Sequence, residues 1–211
     1  MKPRSFSLVQ PILVPRTGTH EEIILGAAHA SLRAFCTDEG GRSDSGPWQT
    51  WLSQGPAKSV RRVKAPSHLD QVRQWAAEEG VPVGEHLGVL ALPPMTYEEM
   101  PKRVRGAQVN GVDYAPLPGP RPDSPEAPLR IATLGSLTTG KAAAQVAHAA
   151  WGWSLNQAGG APEPWFTLSF VSPSEIRALS TQPGAVPVRD AGFTEVAPGT
   201  VTAVAIAEPR G

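Results

Sequence analysis

A lysine, a glutamine and a histidine stand at i, i+4 and i+7 in the stretch Leu137-Thr138-Thr139-Gly140-Lys141-Ala142-Ala143-Ala144-Gln145-Val146-Ala147-His148-Ala149. On a helix, that spacing puts Lys141, Gln145 and His148 on one face. Gly140 falls at the helix start, and the alanines between the polar residues allow another backbone to come close. Free N–H groups and the helix dipole favour negative charge at such a start, so the stripe suits an anion or a polarised carbonyl. A solvated helix face with a capped start would show the same spacing. A second group lies in Arg189-Asp190-Ala191-Gly192-Phe193-Thr194-Glu195-Val196-Ala197-Pro198-Gly199-Thr200-Val201-Thr202. Asp190 follows a predicted strand, and Thr194 and Thr202 flank a predicted turn. A carboxylate beside hydroxyls can orient water or accept its proton. The alternative is a turn aspartate that bonds its own backbone, next to threonines that simply favour strands.

The elements that must position these residues are legible from period and punctuation. Residues 129–134 suit a strand, 138–153 a helix and 165–171 a strand. Pro173-Ser174 opens a helix ending near residue 181, and strands at 186–188 and 201–207 are joined around Ala197-Pro198-Gly199. The same order precedes it. Residues 7–14 suit a strand that Pro11 confines to an edge or bulge. A helix at 20–35, a helical turn at 48–52, a strand at 58–64, a helix at 67–79 capped by Ser67 and ended by Gly80, and strands at 81–83 and 88–92 follow. Three anchors align the halves: Ala28-His29-Ala30 with Ala147-His148-Ala149, Pro66-Ser67 with Pro173-Ser174, and Val81-Pro82-Val83 with Val186-Pro187-Val188. Their shared order reads as an internal repeat. The predicted fold is α/β, two related units each with a mixed β-sheet flanked by helices. Between Tyr114 and Pro128 the chain carries six prolines, which exclude helix and central strand. The expected organisation is therefore a unit at 1–113, a proline-rich linker at 114–128 and a unit at 129–211.

Charge and composition narrow the partners. Nineteen Lys plus Arg balance nineteen Asp plus Glu, which excludes a long basic coat for nucleic acid but not a local basic groove. The one cysteine, Cys36, excludes an intramolecular disulfide or a cysteine metal cluster. No stretch nears the roughly 20 apolar residues that span a bilayer, and residues 1–9 lack a signal peptide's apolar run. The expectation is a cytoplasmic protein with no membrane partner.

Together the two segments resemble the bacterial-and-archaeal type (type 2) of peptidyl-tRNA hydrolase. That family carries a Gly-Lys-x-Ala-Ala-Gln-x-x-His-Ala helix and an Asp-Ala-Gly-x-Thr-x-x-x-Pro-Gly-Ser/Thr-x-Thr hairpin. The resemblance covers residues 129–208 well and 8–93 more faintly, where Trp51-Leu52-Ser53-Gln54-Gly55 followed by Lys58 looks like the family's second helix and strand. It implies cleavage of the ester joining a nascent peptide to tRNA by a water nucleophile, with no metal and no cofactor. Carried over by motif, Lys141, Asp190, Thr194 and Thr202 would form the reaction centre, with Gly140, Gln145 and His148 binding substrate. Asp190 would orient or deprotonate water, Lys141 would stabilise charge on the carbonyl oxygen or terminal phosphate, and the threonines would position the ester. Phe193 and Glu195 depart from the arginine and glutamine usual beside the hairpin threonine, and no second helix is evident between Trp153 and Trp165. The first half keeps His29 but has Glu22 and Gly26 in place of lysine and glutamine, Glu85 near the aspartate position and no Pro-Gly hairpin. It reads as a catalytically silent copy that packs as a built-in dimer partner, making the chain a monomeric pseudo-dimer. The alternative is a non-catalytic tRNA- or protein-binding module of the same fold.

Other signals carry less. Gly135 to Ala142 nearly fits a phosphate-binding P-loop, but Ala142 replaces the hydroxyl residue that would hold magnesium. Arg61-Arg62-Val63-Lys64 and Lys102-Arg103-Val104-Arg105 are short basic clusters, suited to tRNA phosphates or to plain solvated surface. The six tryptophans suit core or interface packing. His20, His68 and His86 show no metal-ligand spacing.

Overall fold

The computed structural model describes residues 8–39, 41, 43–117, 127, 129–156, 165–192 and 195–207. Its first half runs β1 (Val9–Val14), α1 (His20–Thr37), α2 (Pro47–Ser53), β2 (Ala57–Arg62), α3 (Ser67–Glu78), β3 (Gly84–His86), β4 (Val89–Ala91) and α4 (Lys102–Arg105). Its second half runs β5 (Leu129–Leu134), α5 (Thr139–Leu155), β6 (Phe166–Val171), α6 (Pro173–Leu179), β7 (Val186–Arg189) and β8 (Val201–Ala207). These form two four-stranded sheets of order β2-β1-β4-β3 and β6-β5-β8-β7. In each, the first strand is parallel to the second and antiparallel to the last, and the last two pair antiparallel. The fold is thus α/β with two mixed sheets of one topology, each flanked by helices.

Register corrects one expectation and decides another. Ile12 lies opposite Val60 and Ala91, and Ala132 lies opposite Ser169 and Val204. Gly84 faces Ala91 as Pro187 faces Val204, so the counterpart of Pro187 is Gly84 and not Pro82. The third anchor was displaced because Val81-Pro82-Val83 precedes its strand. The hairpin turns on Leu87 (φ 48°) and Gly88 (φ 73°), the paired positive dihedrals of a two-residue type I′ turn. Pro11 sits in a central strand, at a one-residue bulge in the pairing: Val9 bridges Met95 but Ile12 lies opposite Ala91. The Pro11 carbonyl accepts from Leu92 N at 3.0 Å, and its absent N–H falls where the β1–β4 ladder lapses.

Two of the six helix starts among the described residues, those of α1 and α6, are capped by their own N-cap side chains. Thr19 with Glu22, and Ser172 with Glu175, form reciprocal capping boxes. Ser67 differs from expectation: it is the first residue of α3, and Pro66 precedes it without a side-chain cap.

One apolar core runs through both halves. Alanines 27, 28, 30 and 34 of α1 and alanines 142, 143, 147, 149 and 150 of α5 are all 0% exposed and belong to it. α1 and α5 make the most extensive contact between any two elements. Small side chains bring the helices close. A buried polar chain crosses the seam: Trp151 Nε1 donates to Ser31 Oγ (2.8 Å), which donates to Gln10 Oε1 (2.6 Å). A second core, with Leu13, Val72, Leu90, Met100 and Val104, covers the other face of the first sheet.

The start of the proline-rich segment is docked on both halves. Ala115 O accepts from His20 N (2.8 Å), Tyr114 N donates to Thr139 Oγ1 (3.0 Å) and Leu117 N donates to Glu21 Oε2 (2.8 Å). The remainder, residues 118–126 and 128, lies outside the described residues. No helix among the described residues is long and apolar enough to cross a membrane.

The closest backbone approach is at Gly84, where a Cβ would lie 2.0 Å from Ala30 O and 2.2 Å from Ala34 N. At Gly152 of α5 a Cβ would meet only Val186 Cγ1, at 2.8 Å, so one half-buried side chain and no backbone must give way. Gly84→Ala is expected to cost about 3 kcal/mol or more. Gly152→Ala is expected to be near neutral, because helix propensity returns about 1 kcal/mol. Urea denaturation of both variants checks the contrast.

Candidate functional site

A cleft of about 700 Å³ opens between the halves. One wall is the polar face of α5 with the neck of the β7–β8 hairpin: Gly140, Lys141, Gln145, His148 and Asp190 all line it. The opposite wall comes from the first half, from residues 54–61 of the α2–β2 corner, Tyr97 and residues 109–112. Lys141 and His148 are half-buried, and Gln145 is 8% exposed. The i, i+4, i+7 stripe therefore faces a cleft and not open solvent.

Asp190 is held at the point where β7 turns away. Its N–H donates to Thr200 O and its carbonyl accepts from Gly199 N, both at 2.8 Å, and its Oδ2 accepts from Gly192 N at 2.6 Å. The backbone-bonding turn aspartate and the cleft-lining carboxylate are thus the same residue. Gly192 (φ 94°) and Gly199 (φ 85°) supply the left-handed conformations the turn requires.

Thr202 does not line the cleft. It is 0% exposed, and its hydroxyl donates to Gln145 Oε1 at 2.8 Å, with Val188 O a second acceptor at 3.3 Å. Its expected direct hold on an ester is therefore corrected to an indirect one: it fixes which end of the Gln145 amide faces outward. Thr194, with its neighbour Phe193, lies outside the described residues.

The start of α5 is not an open anion site. Glu195 accepts from Thr138 N (3.0 Å) and Thr138 Oγ1 (2.6 Å). Asp113 Oδ1 accepts from Thr139 N (3.0 Å) and Thr139 Oγ1 (2.8 Å), and Gly140 N donates to Val112 O (2.8 Å). Two carboxylates and a carbonyl already satisfy the amides and complement the dipole. This also removes the P-loop reading, whose phosphate would need those amides. Neither carboxylate was legible as a cap, because Glu195 and Asp113 lie far along the chain from the helix start.

Thr139 is the junction of the halves. Its buried hydroxyl donates to Asp113 and accepts from Tyr114 N, so His20 Nδ1, 2.8 Å away, must be the donor in its contact. Burial alone would raise the Asp113 pKa. The hydrogen bonds from Thr139 and Tyr114, with the charge of His20, outweigh it and hold the carboxyl below its usual range.

Lys58 enters from β2. Its Nζ lies 3.1 Å from His148 Nδ1 and 4.5 Å from the Trp51 ring centroid. Burial holds the Lys58 ammonium well below the usual lysine range. Burial, and then the charge of Lys58, do the same to His148. Sequence reasoning noted Lys58 only as part of a strand. Its contact with His148 spans 90 residues and left no local signal.

The first half's copy of the site is packed shut. At Gly26, the counterpart of Gln145, a Cβ would meet Val89 Cγ2 at 2.6 Å, so α1 lies flush on the β3–β4 hairpin. His29 stacks on Phe166 (4.7 Å, 14°) and abuts His86. Glu85 is gripped by Arg73 through two hydrogen bonds of 2.6 and 3.1 Å. The basic clusters are largely internal ties. Arg61 is 5% exposed, Arg62 bonds Gln108 Oε1 and Asp113 O, and Arg103 bonds Gln71 O. Trp48, Trp51 and Trp151 form the expected core cluster, whereas Trp165 is 68% exposed. No group of three or more metal-ligating side chains occurs among the described residues.

Comparison of the chain with known protein families and with curated proteins finds no match.

Thr139→Val keeps the shape and removes the shared hydroxyl. It is expected to lower stability by about 0.5–1.5 kcal/mol near neutral pH, by removing the bonds of a buried hydroxyl to partners that keep access to water. Asp113 has a depressed folded pKa, so its contribution is present above the ordinary carboxylate range and is lost as pH falls through the folded value. The gap between wild type and variant should narrow below about pH 4. Denaturation curves across pH 2–7 measure it.

Proposed function

We propose that the protein is a peptidyl-tRNA hydrolase of the type 2 kind, cleaving the ester between peptide and tRNA to recycle tRNA. The observation that carries this reading is the sharing of one cleft by Lys141 and Asp190, two groups brought from a helix and a hairpin 49 residues apart. In this reading Asp190 orients a water molecule and draws its proton as the oxygen attacks the ester carbonyl. Lys141 stabilises the negative charge that develops on the carbonyl oxygen. The Gln145 amide, locked by Thr202, orients the substrate, and Thr194 is assigned a positioning role by motif alone. As the tetrahedral intermediate collapses, the proton taken up by Asp190 passes to the ribose oxygen, which leaves as the hydroxyl, and the peptide leaves as a carboxylic acid. The cytoplasm is the compartment where such a substrate arises, and the first half acts as a built-in partner subunit in a monomer.

A specific observation favours a second reading, a non-catalytic tRNA- or protein-binding module of the same fold. Glu195 places its own carboxylate on Thr138, where a substrate anion would otherwise meet the helix start. That contact leaves the cleft walls intact while reducing the pull on a phosphate.

Release of labelled peptide from peptidyl-tRNA separates the two. Asp190→Asn is expected to lower turnover at least about 100-fold, and Lys141→Ala about 100- to 1,000-fold. Unchanged turnover in both variants removes the assigned site. Tight tRNA binding with no peptide release by the wild type supports the binding module instead.

A further inference from the structure

We propose that Lys58, contributed by the first half, forms with His148 a second anion subsite in the cleft, and that its ligand is a phosphodiester of the single-stranded acceptor end. The inference rests on the peptidyl-tRNA reading and assigns substrate recognition to the half that lost its own site.

Geometry supports it. Lys58 lies on β2, the edge strand of the first sheet, and both Lys58 and His148 line the cleft that holds Lys141. Its partners among the described residues are His148 Nδ1 at 3.1 Å and the faces of Trp51 at 4.5 Å and Trp151 at 5.9 Å. None of these is an anion. A cation drawn out of water without a counter-charge gains most from an anion that arrives with a ligand. An arriving anion would offset the burial that holds Lys58 below the usual lysine range and favour its ammonium form.

The balance of charge along the cleft agrees. Lys58, Arg61, Lys141 and Arg189 line it, against Asp190 and Glu195, and Glu195 is engaged with Thr138. The Arg61 Nε is buried without a hydrogen-bond partner among the described residues. His148 stands seven residues beyond Lys141 on α5, about 10 Å along the axis. A phosphate near the scissile ester could reach Lys58 while the ester sits at Lys141.

The pseudo-symmetric spot shows that the feature is not generic. Register makes Thr167 the counterpart of Lys58, and there His29 packs against Phe166, His86 and Trp165, with no lysine seen on it among the described residues. One of the two related corners carries a cation open to a cleft, and the other is filled by rings.

The test is equilibrium binding of the trinucleotide cytidylyl-cytidylyl-adenosine to the full chain at several salt concentrations. Lys58→Met and Lys58→Gln are each expected to weaken binding about tenfold. Both should make the dependence of log affinity on log salt shallower by about one. Lys58→Arg keeps the charge and should retain the wild-type slope. Near-UV circular dichroism verifies that each variant is folded. Wild-type slope and affinity in the folded Met or Gln variant overturn the proposal. So does an affinity loss that a folded Lys58→Arg shares in full, since that marks a packing role. Peptide release by the same wild-type preparation is scored separately. Lys58-dependent binding without hydrolysis removes the enzymatic reading and leaves the subsite, whereas hydrolysis with Lys58-independent binding removes the subsite alone.

Discussion

The structure depends on the packing of α1 against α5. Each helix presents alanines where a larger residue would hold the other away, and all of those alanines are fully buried. Removing apolar surface from water is the dominant favourable term in such a seam. Because it runs through the middle of one continuous core, neither sheet completes its burial without the other half. The polar thread from Gln10 through Ser31 to Trp151 then selects one alignment, since a slip would strand buried donors.

That alignment creates the cleft. With α5 pressed on α1, the stripe on its next face looks onto β2 and the loop before it. The segment from Val112 to Leu117 crosses both helix starts and ties them together through Thr139, His20 and Glu21. The related corner on the first half is closed by the same packing logic, because Gly26 lets the β3–β4 hairpin settle onto α1. One fold thus holds two equivalent corners, one filled and one open. The open corner takes side chains from both halves.

Sequence reading captured what is local. Helical and strand periods placed most elements within a few residues, and the repeat was visible through short anchors. Local cues left choices open, or misled, where tertiary context won. Pro11 was open to an edge or a bulge, and only the register shift beside it in a central strand decides for the bulge. Val81-Pro82-Val83 looked like the strand it only leads into. The stripe of Lys141, Gln145 and His148 was legible because a helix imposes fixed spacing. The inward turn of Thr202 was not, since threonine suits a strand on either face. Glu195 and Asp113 as caps, and Lys58 as a neighbour of His148, arise only when distant segments meet, and no composition or period encodes that meeting.

The central claim is that ligand is held between the halves, not by the second half alone. Hydrogen exchange of the full chain, with and without a peptidyl-tRNA analogue carrying an amide in place of the ester, tests it most directly. The account predicts slowed exchange both in residues 54–61 and in residues 141–148 and 189–192. Protection confined to the second half, or absent from both, would contradict it.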